Sequence, residues 1–139
     1  MLLMSEELIN SELEKNLIDI ARKYELSLLV LFGSRVNGNY TKYSDWDFAF
    51  KKSKDFSTRN YQELYQEFNK IFERFDLVDL DKEEDILLKR NIAENSKLIY
   101  EDREGVYDLF VVNSVYEYID YLPFFKIEEE IINSRLERL

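Results

Sequence analysis

Apolar residues along the chain follow two spacings, one typical of helices and the other of strands. Apolar residues spaced by three and four predict a helix from a cap at Ser5 to about Tyr24. The same spacing predicts helices at 60–74, 86–93 and 104–120. Short apolar runs predict strands at 26–32, 45–50, 75–80 and 97–100. This alternation predicts a small α/β (α+β) sheet domain spanning 1–139.

The C-terminal part, about 104–139, is expected to be helical. Its only proline, Pro123, is predicted to end the helix that begins at Glu104. A separate terminal helix should then run from Phe124 to Leu139. The apolar stripe of that helix could dock on the domain or on a partner.

The second strand carries two acids at the spacing of a strand. In the segment GSRVNGNYTKYSDWDFAF, Gly33-Ser34 follows a buried strand, ten residues intervene, and Asp45-Trp46-Asp47 comes next. Side chains two apart share one face of a strand, so the two carboxylates should lie together, with Trp46 on the core face. Like charges this close favour a cation between them, and oxygen ligands suit Mg²⁺.

The amino-acid composition excludes several kinds of catalytic and binding site. The chain has no cysteine and no histidine, which excludes thiolate metal sites, Cys nucleophiles and Ser-His-Asp triads. A formal charge of −10 argues against direct nucleic-acid binding, because phosphate neutralisation needs a basic surface. No apolar run reaches membrane-spanning length, so we expect a soluble, cytoplasmic protein with no membrane contact.

The spacing Gly-Ser, ten residues, Asp-x-Asp resembles that of the DNA polymerase β type of nucleotidyltransferases. The resemblance implies a small mixed sheet packed with helices, and nucleotide contacts from the Gly-Ser turn and its neighbours. It implies divalent metal at Asp45 and Asp47, and a third carboxylate from a neighbouring strand. The positions expected to bind nucleotide are Gly33, Ser34, Arg35 and Ser44.

The third carboxylate should lie in the segment FDLVDL, where Asp76 and Asp79 compete for the role. Their odd separation places them on opposite faces of a strand. Asp76 is preferred because it opens the strand, whereas Asp79 would share a face with Leu77 and Asp81. By this resemblance, Asp45, Asp47 and Asp76 would be the catalytic and metal-binding residues of a two-metal Mg²⁺ site.

Three further segments, VDLD, KLIYED and VYEYIDYLPFF, resemble those of MntA-type antitoxins, which are paired with HEPN-domain ribonuclease toxins. The resemblance implies transfer of AMP from ATP to a tyrosine of the partner toxin, in a hetero-oligomer. Related motifs often carry an Arg where this chain has Asn37, so a phosphate contact could be lost or supplied by Arg35 or Lys42.

Two other functions stay open at this point. The chain could neutralise a toxin by binding and masking it, with the nucleotide site serving no catalytic purpose. It could also modify a small cationic molecule such as an aminoglycoside, which an acidic protein would attract.

Overall fold

The computed structural model describes residues 10–139, in which helices and strands alternate. In chain order the elements are α1 Ser11–Lys23, β1 Leu26–Phe32, α2 Ser34–Asn37, β2 Trp46–Lys52, α3 Thr58–Ile71, β3 Phe75–Asp79, α4 Ile86–Glu94, β4 Lys97–Glu101 and α5 Val106–Glu137. The predicted cap at Ser5 lies outside the described residues. Within them, Asn10 caps α1, and its side-chain oxygen accepts a hydrogen bond of 2.8 Å from the Leu13 N–H.

The four strands form one sheet in the order β3-β2-β1-β4. The central strand β1 pairs antiparallel with β2 and β4, whereas β2 and β3 run parallel. The predicted mixed sheet is therefore confirmed.

Helices cover both faces of this sheet. On one face, α1 and α3 pack against side chains such as Leu29, Phe48 and Phe50. On the other face, Ile92 of α4 and Phe110 of α5 pack with β1 and β2 residues. Burial on both sides explains why the sequence of β1 is almost continuously apolar.

Strand β2 has the predicted register but extends further than predicted. Trp46, Phe48 and Phe50 belong to the core beneath α1 and α3, which leaves Asp47 on the opposite face. The prediction that this strand ends at residue 50 is wrong, because Lys51 and Lys52 also belong to it. Each lysine forms an ion pair with an acid. Lys52 pairs with Asp79, the last residue of β3, at 2.9 Å, and Lys51 pairs with Asp81, two residues later, at 3.2 Å.

Helix α5 corrects the prediction for Pro123. The helix continues through the proline to Glu137, so 104–139 contains one long helix rather than two. Proline removes one hydrogen-bond donor, at a cost of about 3 kcal/mol in a helix interior. Aromatic contacts span this point, with ring centroids 5.5 Å apart for Tyr121–Phe124 and 5.9 Å apart for Tyr118–Phe125. These contacts help to offset the missing bond.

None of the helices between residues 10 and 139 is both long and apolar enough to cross a membrane.

Candidate functional site

Gly33 makes room for the carboxylate of Asp47. The glycine follows β1 with φ 81° and ψ −159°, a backbone region that is essentially restricted to glycine. In the β1–β2 pairing, Phe32 lies opposite Asp47. A Cβ atom at position 33 would overlap Asp47 Oδ2 and lie 3.0 Å from Asp47 Cγ. The resemblance implies a nucleotide contact at Gly33, and the structure shows that the immediate neighbour of this glycine is a candidate catalytic acid.

Asp47 and Asp76 lie side by side on adjacent strands. The parallel register of β2 and β3 pairs the two residues directly, and their carboxyl groups are within hydrogen-bonding reach. Burial raises the pKa of Asp47 to about 6, and repulsion from Asp76 and then Asp45 adds to this shift. Two acids in this arrangement favour a shared proton or a bound cation.

Asp79 lies on the other face of β3 and is engaged elsewhere. Its carboxylate forms the ion pair with Lys52 Nζ and also accepts a hydrogen bond of 3.0 Å from the Asp81 N–H. Only about one tenth of the Asp79 side chain is exposed. This geometry supports the preference for Asp76 over Asp79, while the role of Asp76 in catalysis stays a prediction.

Asp45 is exposed and follows a tightly hydrogen-bonded loop. The Ser44 Oγ accepts a bond of 2.9 Å from the Thr41 N–H, and the Ser44 N–H donates to the Thr41 carbonyl. The Ser44 side chain therefore shapes the loop that leads to Asp45. Its hydroxyl hydrogen can still donate to an acceptor such as a phosphate oxygen.

The Arg35 side chain binds the backbone of the same loop. Its guanidinium donates to the Ser44 carbonyl from Nη2 (2.9 Å) and Nε (3.3 Å), and it stacks 4.0 Å from the centre of the Trp46 ring. Arg35 is 8% exposed, so it is not a charge on the helix surface. A direct contact of Arg35 with phosphate stays a prediction.

A cavity of about 200 Å³ adjoins Arg35 and the loop. It is lined by Lys42, Ser44, Trp46 and Arg74 as well as by Arg35. The sequence reasoning missed Arg74, which immediately precedes β3 and whose carbonyl accepts a bond of 3.1 Å from the Trp46 N–H. The available signal was its position one residue before the predicted strand at 75–80.

The donor atoms of the three acids suit a hard divalent cation such as Mg²⁺, which prefers oxygen ligands. Between residues 10 and 139, no group of three or more acidic, cysteine or histidine side chains already converges at metal-ligand spacing. Asp47 and Asp76 are adjacent, and the exposed side chain of Asp45 would have to turn towards them. A cation would also offset the repulsion that raises the pKa of Asp47.

The sequence profile of the family described as "Polymerase beta, Nucleotidyltransferase" matches residues 15–105, which is more than half of the chain. The chain belongs to this nucleotidyltransferase family. The matched region contains the Gly33 turn, Asp45, Asp47 and Asp76. The predicted family is therefore confirmed.

Solved structures share the fold of this nucleotidyltransferase. A toxin–antitoxin crystal structure with AMP-PNP contains a chain 24% identical to it, covering 89% of this chain and 98% of its own, with a TM-score of 0.68. In a complex of the tri-AMPylated Shewanella oneidensis HEPN toxin with MNT antitoxin, a chain is 23% identical, with coverage of 89% and 95% and a TM-score of 0.62. The predicted likeness to MntA-type antitoxins is thereby confirmed at the level of the fold. The curated proteins contain no match to this nucleotidyltransferase.

Proposed function

We propose that the protein is a Mg²⁺-dependent nucleotidyltransferase that transfers AMP from ATP to a tyrosine of a cognate HEPN-domain toxin, and so neutralises it. The observation that carries the proposal is the pair Asp47–Asp76 beside the Gly33 turn. The AMP-PNP complex and the tri-AMPylated toxin among the structural neighbours support the choice of nucleotide and acceptor.

In the proposed site, the three acids bind metal and the turn at Gly33 contacts the nucleotide. Asp45 and Asp47 hold one Mg²⁺, and Asp76 completes the ligand set for a second. When bound, Mg²⁺ neutralises the triphosphate and the charge that develops on the leaving pyrophosphate. Gly33 and Ser34 approach the phosphates, with Arg35 and Ser44 beside them.

The proposed reaction is an in-line displacement at the α-phosphorus of ATP. The tyrosine oxygen forms a bond to this phosphorus, and the bond from phosphorus to the bridging oxygen of the β-phosphate breaks. Pyrophosphate leaves with that electron pair, and the Asp76 carboxylate accepts the hydroxyl proton. The reaction needs no histidine, in agreement with the composition of the chain.

One observation favours a binding contribution to neutralisation. The half of α5 that precedes Pro123 carries apolar side chains that are about half exposed or more, and they point away from the buried Phe110 and Ser114. These residues are Leu109, Val112, Tyr116 and Ile119. An exposed apolar face of this kind is typical of a protein interface, so masking of the toxin is the second candidate function.

ATP labelled at different phosphorus atoms distinguishes AMP transfer from masking. The toxin is incubated with this protein, Mg²⁺ and ATP labelled at either the α- or the γ-phosphorus. The proposal predicts label on the toxin from the α position alone, which distinguishes nucleotidyl from phosphoryl transfer. If neither ATP labels the toxin while the two proteins form a stable complex, masking is the function and the catalytic proposal is wrong.

A further inference from the structure

The second half of α5 and the two residues after it form a segment that the domain core does not cover. We call residues 124–139 the distal arm. Within this fully described stretch no residue is buried, and large apolar side chains are 50–59% exposed. They include Phe124, Ile127, Ile131, Ile132 and Leu136. So much exposed apolar surface on a single helix is typical of an interface.

Four charged side chains of the distal arm form no ion pair with the part of the chain that the structure describes. None of the ion pairs found between residues 10 and 139 involves Lys126, Glu128, Arg135 or Glu137. At about 100° per residue, Glu128, Ile131, Ile132 and Arg135 lie on one face of the helix. This face combines an apolar centre with one acid and one base.

The sequence of the arm is complementary to itself when two copies run antiparallel. With the midpoint between Ile131 and Ile132, residues at equal distances from it meet across the pair. On the face of the helix that carries this midpoint, Phe124 meets Leu139, Glu128 meets Arg135, and Ile131 meets Ile132. Apolar residues therefore meet apolar residues along the middle of this face, and the acid Glu128 meets the base Arg135 on both sides of the midpoint. At the edges of the face, Ile127 meets Leu136 and Phe125 meets Arg138.

Neighbouring registers lose this match. Moving the midpoint onto Ile132 places Glu128 opposite Leu136, and moving it onto Ile131 places Ile127 opposite Arg135. A parallel, in-register pair would place Glu128 on its own copy. Like charges across an interface are unfavourable, so the sequence favours one antiparallel register.

We infer that the distal arm is a self-association surface, on which the arm of a second copy of this chain docks antiparallel. The pair has two-fold symmetry, so each contact occurs twice. The arm is separate in sequence from the proposed nucleotide site at Gly33, Asp47 and Asp76. This inference does not depend on the proposed catalytic function.

Charge reversal tests the inference on the full chain by sedimentation velocity, at concentrations up to about 100 µM, where pairs of micromolar affinity are dimeric. The wild type should form a dimer. Each single reversal, Glu128→Arg or Arg135→Glu, should weaken the dimer at least about tenfold, because like charges then meet twice. The double variant Glu128→Arg/Arg135→Glu should restore dimerisation.

The control is Arg59→Glu, which makes the same change of net charge as Arg135→Glu at an exposed position on α3 and should leave the dimer intact. Circular dichroism checks that α5 stays helical in every variant. A wild type that is monomeric throughout, or a double variant no better than the single ones, would overturn the inference. If the chain alone is monomeric and the reversals weaken the toxin complex instead, the toxin occupies the arm and self-association is wrong.

Discussion

At the scale of single residues, two close neighbours and partial burial define the environment of Asp47. Gly33 approaches its carboxylate where no larger residue would fit, Asp76 lies beside it, and partial burial raises its pKa to about 6. The sequence motif predicts that Asp45 and Asp47 share a face. It could not predict the contact with Gly33, because that contact depends on how β1 and β2 pair.

Asp76 and Asp79 offer a matched pair of substitutions on one strand. Asp76→Asn should lower transfer by about 100-fold or more, as expected for loss of a metal ligand in phosphoryl chemistry. Asp79→Asn should leave transfer within a few-fold of wild type. It should lower the free energy of unfolding by about 1–3 kcal/mol, since Lys52 loses its partly buried partner. The reverse pattern of activity would show that Asp79 is the third acid.

Gly33 and Gly38 form a second matched pair. Both have positive φ, 81° and 84°, but a Cβ at Gly38 would meet no atom within 4 Å, whereas one at Gly33 collides with Asp47. Gly33→Ala should therefore abolish transfer, and Gly38→Ala should retain it at a stability cost of about 1–2 kcal/mol. Activity assays with thermal unfolding measure both effects. An active Gly33→Ala protein would show that the close contact with Asp47 is dispensable.

The raised pKa of Asp47 predicts how stability depends on pH. Its ordinary value is 3.8, so between about pH 4 and 6 the folded state holds this proton more tightly than the unfolded state. The contribution of Asp47 to stability is therefore fully present below pH 4, falls as the pH rises and is lost above about pH 6. Asp47→Asn should be more stable than wild type above pH 6, by about 1 kcal/mol after allowance for solvent screening.

Urea unfolding at pH 4 and pH 7.5 measures this difference. The advantage of Asp47→Asn should disappear at pH 4, and Mg²⁺ at pH 7.5 should stabilise the wild type more than the variant. An advantage that is the same at both pH values would contradict the assignment of the shift to the ionised carboxylate.

At the scale of elements, burial explains which predictions succeeded. The predicted bounds of β1, 26–32, are confirmed because apolar side chains on both faces mark the whole strand. The sequence did not reveal that Lys51 and Lys52 extend β2, since their partner acids, Asp81 and Asp79, lie about thirty residues away, at or just after the end of β3. Pro123 misled the prediction because the rings of Tyr121 and Phe125 pack along the same helix beside it. Ion pairs between residues so far apart in sequence are not encoded in local periodicity.

Arg35 links α2 to the entrance of β2. Arg35→Lys should lower the free energy of unfolding by about 1–2 kcal/mol, because lysine cannot make the two bonds to Ser44 while stacking on Trp46. Transfer should fall several-fold as the loop before Asp45 loosens. Arg59→Lys, at a side chain that is 86% exposed, is the control and should change neither quantity. Equal behaviour of the two variants would contradict a positioning role for Arg35.

At the scale of the whole molecule, the family profile ends at residue 105, whereas α5 occupies most of the remainder. The family likeness therefore covers the sheet and the candidate site. The exposed apolar surfaces of α5 lie outside the region that matches the family profile. We expect catalysis to depend on the first part of the chain, and contacts with other chains to depend on α5. The sequence could predict an apolar stripe at the C-terminus, but not that one continuous helix presents it.

The most direct test of the central claim is the intact mass of the cognate HEPN toxin after incubation with this protein, ATP and Mg²⁺. Asp47→Asn is the control, since it is expected to fold at least as stably as the wild type at neutral pH. We predict that the wild type increases the toxin mass in whole adenylyl units and that Asp47→Asn leaves it unchanged. An unmodified toxin in a stable complex with the wild type, or full modification by Asp47→Asn, would contradict the account.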